Sequence, residues 1–268
     1  MNTPSLFAAR KIAADFYELP SCMPVPGLGI LAVNAYLIRG PEPVLVDTGL
    51  AALGEPFMET LEALIDPKDL AWVWLSHMDA DHVGNLLSVL EKAPNARVVT
   101  NFLGMGKMML AGLPVDRVRV LEPGSGLQLP DRELVPLSPP YYDAPETLGF
   151  YDTSSSGLFT ADAFGALLGQ PAEDAAAIPA SQLRDGLMAW AGIDAPWLSQ
   201  LDERFLAHSL DAVRRLAPTV VLSSHLPAAR GITENLLGYV AGMHAQGPAT
   251  MPNALTMERL LSGERATA

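Results

Sequence analysis

The sequence predicts an α/β protein in which two β-sheets pack face to face with helices on the outside. Three observations carry this. Short apolar runs of strand length recur through the first 160 residues and alternate with stretches of helical spacing. From about residue 165 the pattern becomes mostly helical, with one short strand near 219–222. The order strands, helices, strands, helices is what two packed sheets with outer helices require. No repeat or low-complexity linker divides the chain; only residues 170–180, rich in Pro, Ala and Asp, loosen it. Residues 1–268 are therefore expected to form one domain.

The elements follow in order. Residues 30–38 and 44–46 read as strands, separated by the turn Arg39-Gly40-Pro41-Glu42-Pro43. Residues 56–65 have helical spacing, 70–75 read as a buried strand, and 83–91 as a helix. Strand-like runs recur at 97–100, 118–121, 133–137, 149–151 and 157–160. Leu198, Leu201, Phe205, Ala212 and Leu216 follow a helical period, the strand 219–222 leads into Ser223-Ser224-His225, and a last helix covers 233–243.

Composition excludes several classes. Apolar residues make up 49% and charged residues 18%, which suits a packed core. A net charge of -13 repels phosphate backbones, so nucleic acid is not an expected partner. The single cysteine, Cys22, rules out a disulfide framework and a thiolate metal site and reads as a small buried hydrophobe. Arg10, Lys11, Asp15 and Glu18 break the N-terminal apolar residues, so no signal-peptide core is expected. The run 30–38 is too short to span a bilayer. A cytoplasmic protein with no membrane partner is the simplest expectation, and a homodimer stays open.

The chemistry concentrates in Leu75-Ser76-His77-Met78-Asp79-Ala80-Asp81-His82-Val83-Gly84, between a hydrophobic strand and a helix. Four potential ligands within six residues cannot all face one way on a regular element. A tight loop at a strand end gathers them, with Gly84 permitting close backbone approach. The plainer alternative is a polar turn whose helix is capped by Asp81. Two His and two Asp together, where the chain has five His in all, favour metal binding.

These residues, with three other segments, resemble the metallo-β-lactamase superfamily, whose fold is an αββα sandwich. Val44-Leu45-Val46-Asp47-Thr48-Gly49 resembles its strand-to-loop signature, and His77 to Gly84 its H-x-H-x-D-H-x-G loop, with Asp79 where the second His usually stands. Leu158-Phe159-Thr160-Ala161-Asp162-Ala163-Phe164-Gly165 resembles the segment carrying a metal-bridging Asp, and Ser224-His225-Leu226-Pro227 the segment with the last His. The carboxylate at Asp79 and the phrase around Asp162 look most like the metal-binding domain of flavodiiron proteins. That resemblance implies two metal sites. One is expected to hold Asp81, His82 and His225, with Asp162 bridging; the other His77, Asp79 and Asp143, with the same bridge. Asp143 stands where that family has a His, which is the main departure.

The oxygen-rich donor set favours iron, with manganese or zinc as alternatives. The resemblance implies an oxidoreductase that binds or activates O₂ or NO, or oxidises a small substrate. The chain ends at Ala268, so a flavodoxin-like domain is not expected and electrons would come from a separate donor. The alternatives are a metal-dependent hydrolase of an ester, lactone, amide or phosphoester, in which Asp81 orients or deprotonates a water, and a non-catalytic oxygen or metal sensor. Asp47 is expected to orient a ligand rather than to be one. Tyr142 is a candidate hydroxyl donor, and His208 a candidate pocket wall or proton donor whose plainer reading is a partly buried helix residue. Trp190 and Trp197 are expected in helix packing, and His244 at the surface.

Overall fold

The computed structural model describes residues 3–243 and 253–261. Its strands are β1 (Ser5–Leu6), β2 (Arg10–Lys11), β3 (Phe16–Val25), β4 (Gly29–Ile38), β5 (Val44–Val46), β6 (Trp72–Trp74), β7 (Arg97–Thr100) and β8 (Val118–Val120). They continue with β9 (Leu127–Gln128), β10 (Glu133–Leu137), β11 (Gly149–Asp152), β12 (Gly157–Phe159), β13 (Leu167–Leu168), β14 (Val220–Ser223) and β15 (Leu226–Arg230). The helices are α1 (Gly54–Leu64), α2 (Ala80–Val83), α3 (Leu86–Lys92), α4 (Phe102–Leu110), α5 (Ala180–Asp194), α6 (Glu203–Leu216), α7 (Thr233–Ala241) and α8 (Ala254–Leu261).

One sheet runs β1-β3-β4-β5-β6-β7-β8, with β2 added beside β3 and β13 beside β4; the other runs β15-β14-β12-β11-β10-β9. Period-two alternation sorts the side chains into three cores. Tyr36, Ile38, Val44, Val46, Trp72 and Trp74 point between the sheets, where they meet Phe150, Phe159, Val220 and Leu222 of the second sheet. Their neighbours Ala35, Leu37, Leu45 and Val73 point the other way, against Phe57 and Leu61 of α1 and Val89 of α3. Leu158 and Val221 of the second sheet turn outward to Leu183 and Leu187 of α5, Leu210 of α6 and Leu237 of α7. The result is the αββα sandwich. Strands β5, β6 and β7 are mutually parallel, as are β12 and β14, so their C-terminal ends gather at one edge. That edge is where ligands bind in such sheets.

Several elements differ from the sequence expectation. The helix read over 83–91 is two, α2 and α3, because Gly84 and Asn85 are tied to the loop after β5. A Cβ on Gly84 would stand 2.4 Å from the Gly49 carbonyl oxygen and from the Ala51 nitrogen. Asn85 Nδ2 donates to the carbonyls of Thr48 (2.6 Å) and Leu50 (3.1 Å). Strand β3 was hidden by Pro20, Pro24 and the buried Glu18, yet it pairs with β4 along its whole length; Arg10 pairs with Glu18 at 2.7 Å. Helices α4 and α5 carried no clear stripe. The stripe of α6 is out of phase with the expected one: Leu206, Leu210 and Val213 are buried, while Phe205 is 63% exposed. His208 accordingly lies on the exposed side of α6, not partly buried. His244 falls outside the described residues. Among the described residues no helix is long and apolar enough to cross a membrane.

Candidate metal centre

The centre is assembled from loops at the C-terminal strand edge. Asp47, just after β5, is held at φ 57°. It accepts from the Ser76 backbone N–H (2.8 Å), from the Ser76 hydroxyl (2.8 Å) and from His82 Nδ1 (2.8 Å). Asp47 therefore joins the ends of β5 and β6 and orients one imidazole, as its position in the sequence led us to expect. Beyond Ser76 the chain turns through His77 and Met78 into α2, whose N-cap residue is Asp79. Its carboxylate makes no capping bond, and Asp81 lies inside the helix rather than at its cap, so the alternative in which Asp81 caps the helix does not hold.

Asp162 follows β12 in a loop held on both sides. Ala161 (φ 49°) and Phe164 (φ 65°) both adopt left-handed backbone conformations, a strain that tends to gather at functional sites. The Phe164 N–H donates to the Tyr141 hydroxyl (2.5 Å) and Thr160 Oγ1 donates to the Ala163 carbonyl (3.0 Å), which fixes the loop. His225 occupies the turn between β14 and β15. Its backbone N–H is held by Ser223 Oγ (3.1 Å).

All three imidazoles are anchored through Nδ1 and aim Nε2 at one carboxylate. Nδ1 of His77 pairs with Ser76 Oγ (3.0 Å), that of His82 with Asp47, and that of His225 with the Ala32 carbonyl (2.7 Å). Nε2 of His82 and His225 lie 3.1 and 3.2 Å from Asp162 Oδ1, and Nε2 of His77 lies 3.3 Å from Asp162 Oδ2. Asp81 stands 3.7 Å from both His82 and His225, and Asp143 stands 4.0 Å from His77. The donor atoms of Asp81, His82 and His225 all lie within 4.8 Å of one another, as do those of His77, Asp79 and Asp143. The structure thus brings together His77, Asp79, Asp81, His82, Asp143, Asp162 and His225.

The charged groups of the cluster act strongly on one another. Burial works against the Asp162 charge, but the imidazoles of His225, His82 and His77 outweigh it and hold the carboxyl well below its usual range. Burial likewise opposes charge on His225, yet Asp162 and Asp81 push it up to about 9; His82 is raised in the same way by Asp162 and Asp47. Asp143 is raised by burial and by Asp162. Nε2 of His77, Nε2 of His82 and Oδ1 of Asp162 are shielded from solvent and lack good hydrogen-bond partners. Buried polar atoms are normally satisfied. Inward-facing imidazole nitrogens and bare carboxylate oxygens at these separations are donors that fit metal ions.

Two expected residues do not join. His208 is exposed and belongs to none of the donor groups. Tyr142 is 36% exposed; its ring packs against Trp197 (centroids 5.8 Å apart) and no hydrogen bond ties its hydroxyl to the centre. Tyr141 is the inward tyrosine. Trp197 also donates from Nε1 to the Tyr142 carbonyl (3.2 Å), whereas Trp190 packs edge-on to His225 with centroids 4.9 Å apart. The residue missed altogether is Asp194, whose carboxylate lies with those of Asp143 and Asp162 within 4.8 Å. Burial and the Asp162 charge push Asp194 up to about 8. It ends a helix with no strong apolar stripe, so only its spacing of one turn from Trp190 marked it.

Comparison with known proteins agrees with this picture. The family model described as ODP family beta lactamase matches residues 31–225. The chain belongs to that family. Among curated proteins, a diflavin flavoprotein A 2 of Nostoc is 35% identical over 135 residues, covering 49% of this chain and 23% of that protein. A type A flavoprotein of Rhodobacter capsulatus is 31% identical over 137 residues, covering 49% and 31% respectively. The chain thus spans less than a third of the length of these relatives. A flavo di-iron protein of Thermotoga maritima shares the fold with a TM-score of 0.77 at 17% identity, covering 90% of this chain and 62% of that one. The rubredoxin oxygen:oxidoreductase of Desulfovibrio gigas gives 0.75 at 20% identity, covering 88% and 61%.

Proposed function

We propose that this chain carries a dinuclear iron centre and acts as an oxidoreductase on O₂ or NO. The observation that carries this is the pairing of two donor groups about one carboxylate. Asp81, His82 and His225 would hold one ion and His77, Asp79 and Asp143 the other, with Asp162 lying between the two groups. An iron pair held there would supply electrons to a diatomic gas, and the anionic oxygens of these aspartates would favour its higher charge. The protein's own residues set the stage. Asp47, Ser76 and the Ala32 carbonyl fix the three imidazoles in the tautomer that leaves Nε2 free. Ala161 and Phe164 hold Asp162 at the midpoint.

The rival reading, a hydrolase, fits less well. Four carboxylates about two divalent ions make them weaker Lewis acids and raise the pKa of a bound water. The names of the relatives point to flavin or rubredoxin as the electron source, and we extend that donor chemistry to this chain.

The test is metal analysis of protein purified without oxygen, followed by optical spectra before and after O₂ and by O₂ or NO uptake with a chemical reductant. About two irons per chain and uptake of either gas are expected. Zinc alone, with ester or phosphoester cleavage, would overturn the reading. The Asp143→His variant sharpens it: two metals should remain, and the centre should become harder to oxidise because one anion is lost. Unchanged metal content and potential would place Asp143 outside the centre.

A further inference from the structure

The donor group around His77 has a single imidazole, and beside it stands a carboxylate that the ligand set above does not use. Asp194 closes α5, and one of its oxygens lies within 4.8 Å of oxygens on Asp143 and Asp162. Its Oδ2 is shielded from solvent and unpaired. So are two atoms of fully or nearly fully buried neighbours, Nε2 of His77 (0% exposed) and Oδ1 of Asp162 (4% exposed). Among the described residues no Lys or Arg is paired with Asp143, Asp162 or Asp194; the positive groups that act on Asp194 are His225 and His77. Trp190, one turn earlier on the same face of α5, leaves its Nε1 unpaired as well and packs against His225. Helix α5 therefore presents this edge of the centre with an oxygen donor, supported by an aromatic wall.

We propose that Asp194 is a metal ligand, completing with Asp143 and Asp162 an oxygen face on the ion held by His77. This rests on the dinuclear reading given above. Three carboxylates packed this closely repel one another unless a proton or a metal cation lies among them. An ion held by Asp143, Asp162 and Asp194 would remove that repulsion. One imidazole and several hard oxygens make a position that prefers Mn²⁺ or iron, whereas the position of His82 and His225 keeps the nitrogen donors that zinc favours.

The test uses the full chain stripped of metal by chelation and titrated with Mn²⁺, followed by electron paramagnetic resonance. Wild type should bind two ions, one tightly and one more weakly. Asp194→Asn should weaken the second step by about ten-fold or more and leave the first within about two-fold. Asp194→Glu, which keeps the charge, should retain most of the second step. Zn²⁺ competition should be less affected than Mn²⁺ at the weaker step. Melting of the metal-free proteins gives a readout that a structural role would not move in this direction. Because Asp194 Oδ2 has no partner in the metal-free protein, Asp194→Asn should leave the metal-free melting temperature no lower than wild type and shrink the gain on adding Mn²⁺. A second step equal to wild type in Asp194→Asn, or a metal-free variant that melts lower with an undiminished gain from Mn²⁺, overturns the assignment alone. A wild type with no second Mn²⁺ step overturns the dinuclear reading and this assignment with it.

Discussion

Two places in this molecule gather aspartates, and they solve the problem of doing so in opposite ways. Around Arg132, 7% exposed, stand Asp15, Asp131 and Asp152. The guanidinium reaches Asp152 at 3.1 Å and Asp131 at 2.7 Å and also pairs with Asp15. Asp152 further accepts from the Ser155 hydroxyl (2.6 Å) and the Ser154 backbone N–H (3.0 Å), so no side-chain atom of that cluster is left buried and unpaired. At the metal centre no Lys or Arg is paired with the aspartates among the described residues, and atoms of His77, His82, Asp162 and Asp194 remain unpaired. Where the chain supplies its own cation, the aspartates brace the fold. At the candidate centre it offers imidazoles instead, side chains that can carry a proton or ligate a metal ion.

That contrast can be broken in either direction. Arg132→Met leaves the fully buried Asp152 without its positive partner and should cost about 3–5 kcal/mol of unfolding free energy, because breaking one side of a buried pair strands the other charge. Denaturant titration checks the cost, and metal content should not change. The reverse signature belongs to the metal centre. Chelation of the native protein should lower its stability by about 3 kcal/mol for an ion formerly present at a hundred times its dissociation constant. A chelator that leaves the melting temperature in place would mean that the cluster, like the one around Arg132, is satisfied without metal. Between the two ion positions, His225→Ala should remove metal more completely than Asp143→Ala, measured as residual metal per chain. His225 faces both Asp81 and Asp162, while Asp143 shares its task with Asp79 and Asp194.

The same contrast explains what could be read in the sequence. The strands facing the sandwich, and the dense set from His77 to His82, were legible because they obey short-range rules: period-two alternation, and ligands crowded into one strand-end loop. Asp162, Asp143 and His225 were reached only through resemblance, since nothing local distinguishes Asp162 from any other aspartate after a strand. Asp194 was not reached at all. Its meaning depends on the end of α5 lying beside Asp143 and Asp162, a tertiary fact invisible in the residues around it. Phe205 and His208 failed for a different reason. On a helix with several apolar residues, an error of one position in the stripe exchanges the wet face for the dry one. Strand β3 failed because prolines and a salt-bridged glutamate break the alternation on which its recognition depends.

Asp47 tests how strongly the surrounding frame tunes the centre. It is not expected to touch metal, but it fixes His82 and both polar groups of Ser76. Asp47→Asn keeps the volume and loses the charge. It should weaken metal binding by about 10–100-fold with the fold intact, as losses of an anchoring carboxylate behind an imidazole ligand do. Calorimetric titration with Mn²⁺ reads this directly. An unchanged affinity would mean that Ser76 alone orients His82.

The smallest effects are expected where the sequence pointed and the structure does not, and the two adjacent tyrosines make the sharpest pair. Tyr141 is buried and its hydroxyl accepts the N–H of Phe164, a residue held at φ 65° two positions after Asp162. Tyr141→Phe strands that N–H and should cost about 1–3 kcal/mol of stability, the usual penalty for an unpaired buried donor. Because the strain at Phe164 is then less well restrained, Asp162 should shift and metal affinity should fall with it. Tyr142 carries the same side chain one position later, packed on Trp197 at the surface. Tyr142→Phe removes a hydroxyl that no hydrogen bond holds and keeps the ring contact, so stability should change by no more than about 0.5 kcal/mol, with metal content and gas uptake both as in wild type. If instead Tyr142→Phe slowed gas uptake with metal content intact, its hydroxyl would have to swing inward during turnover, and the donor role expected from the sequence would be restored.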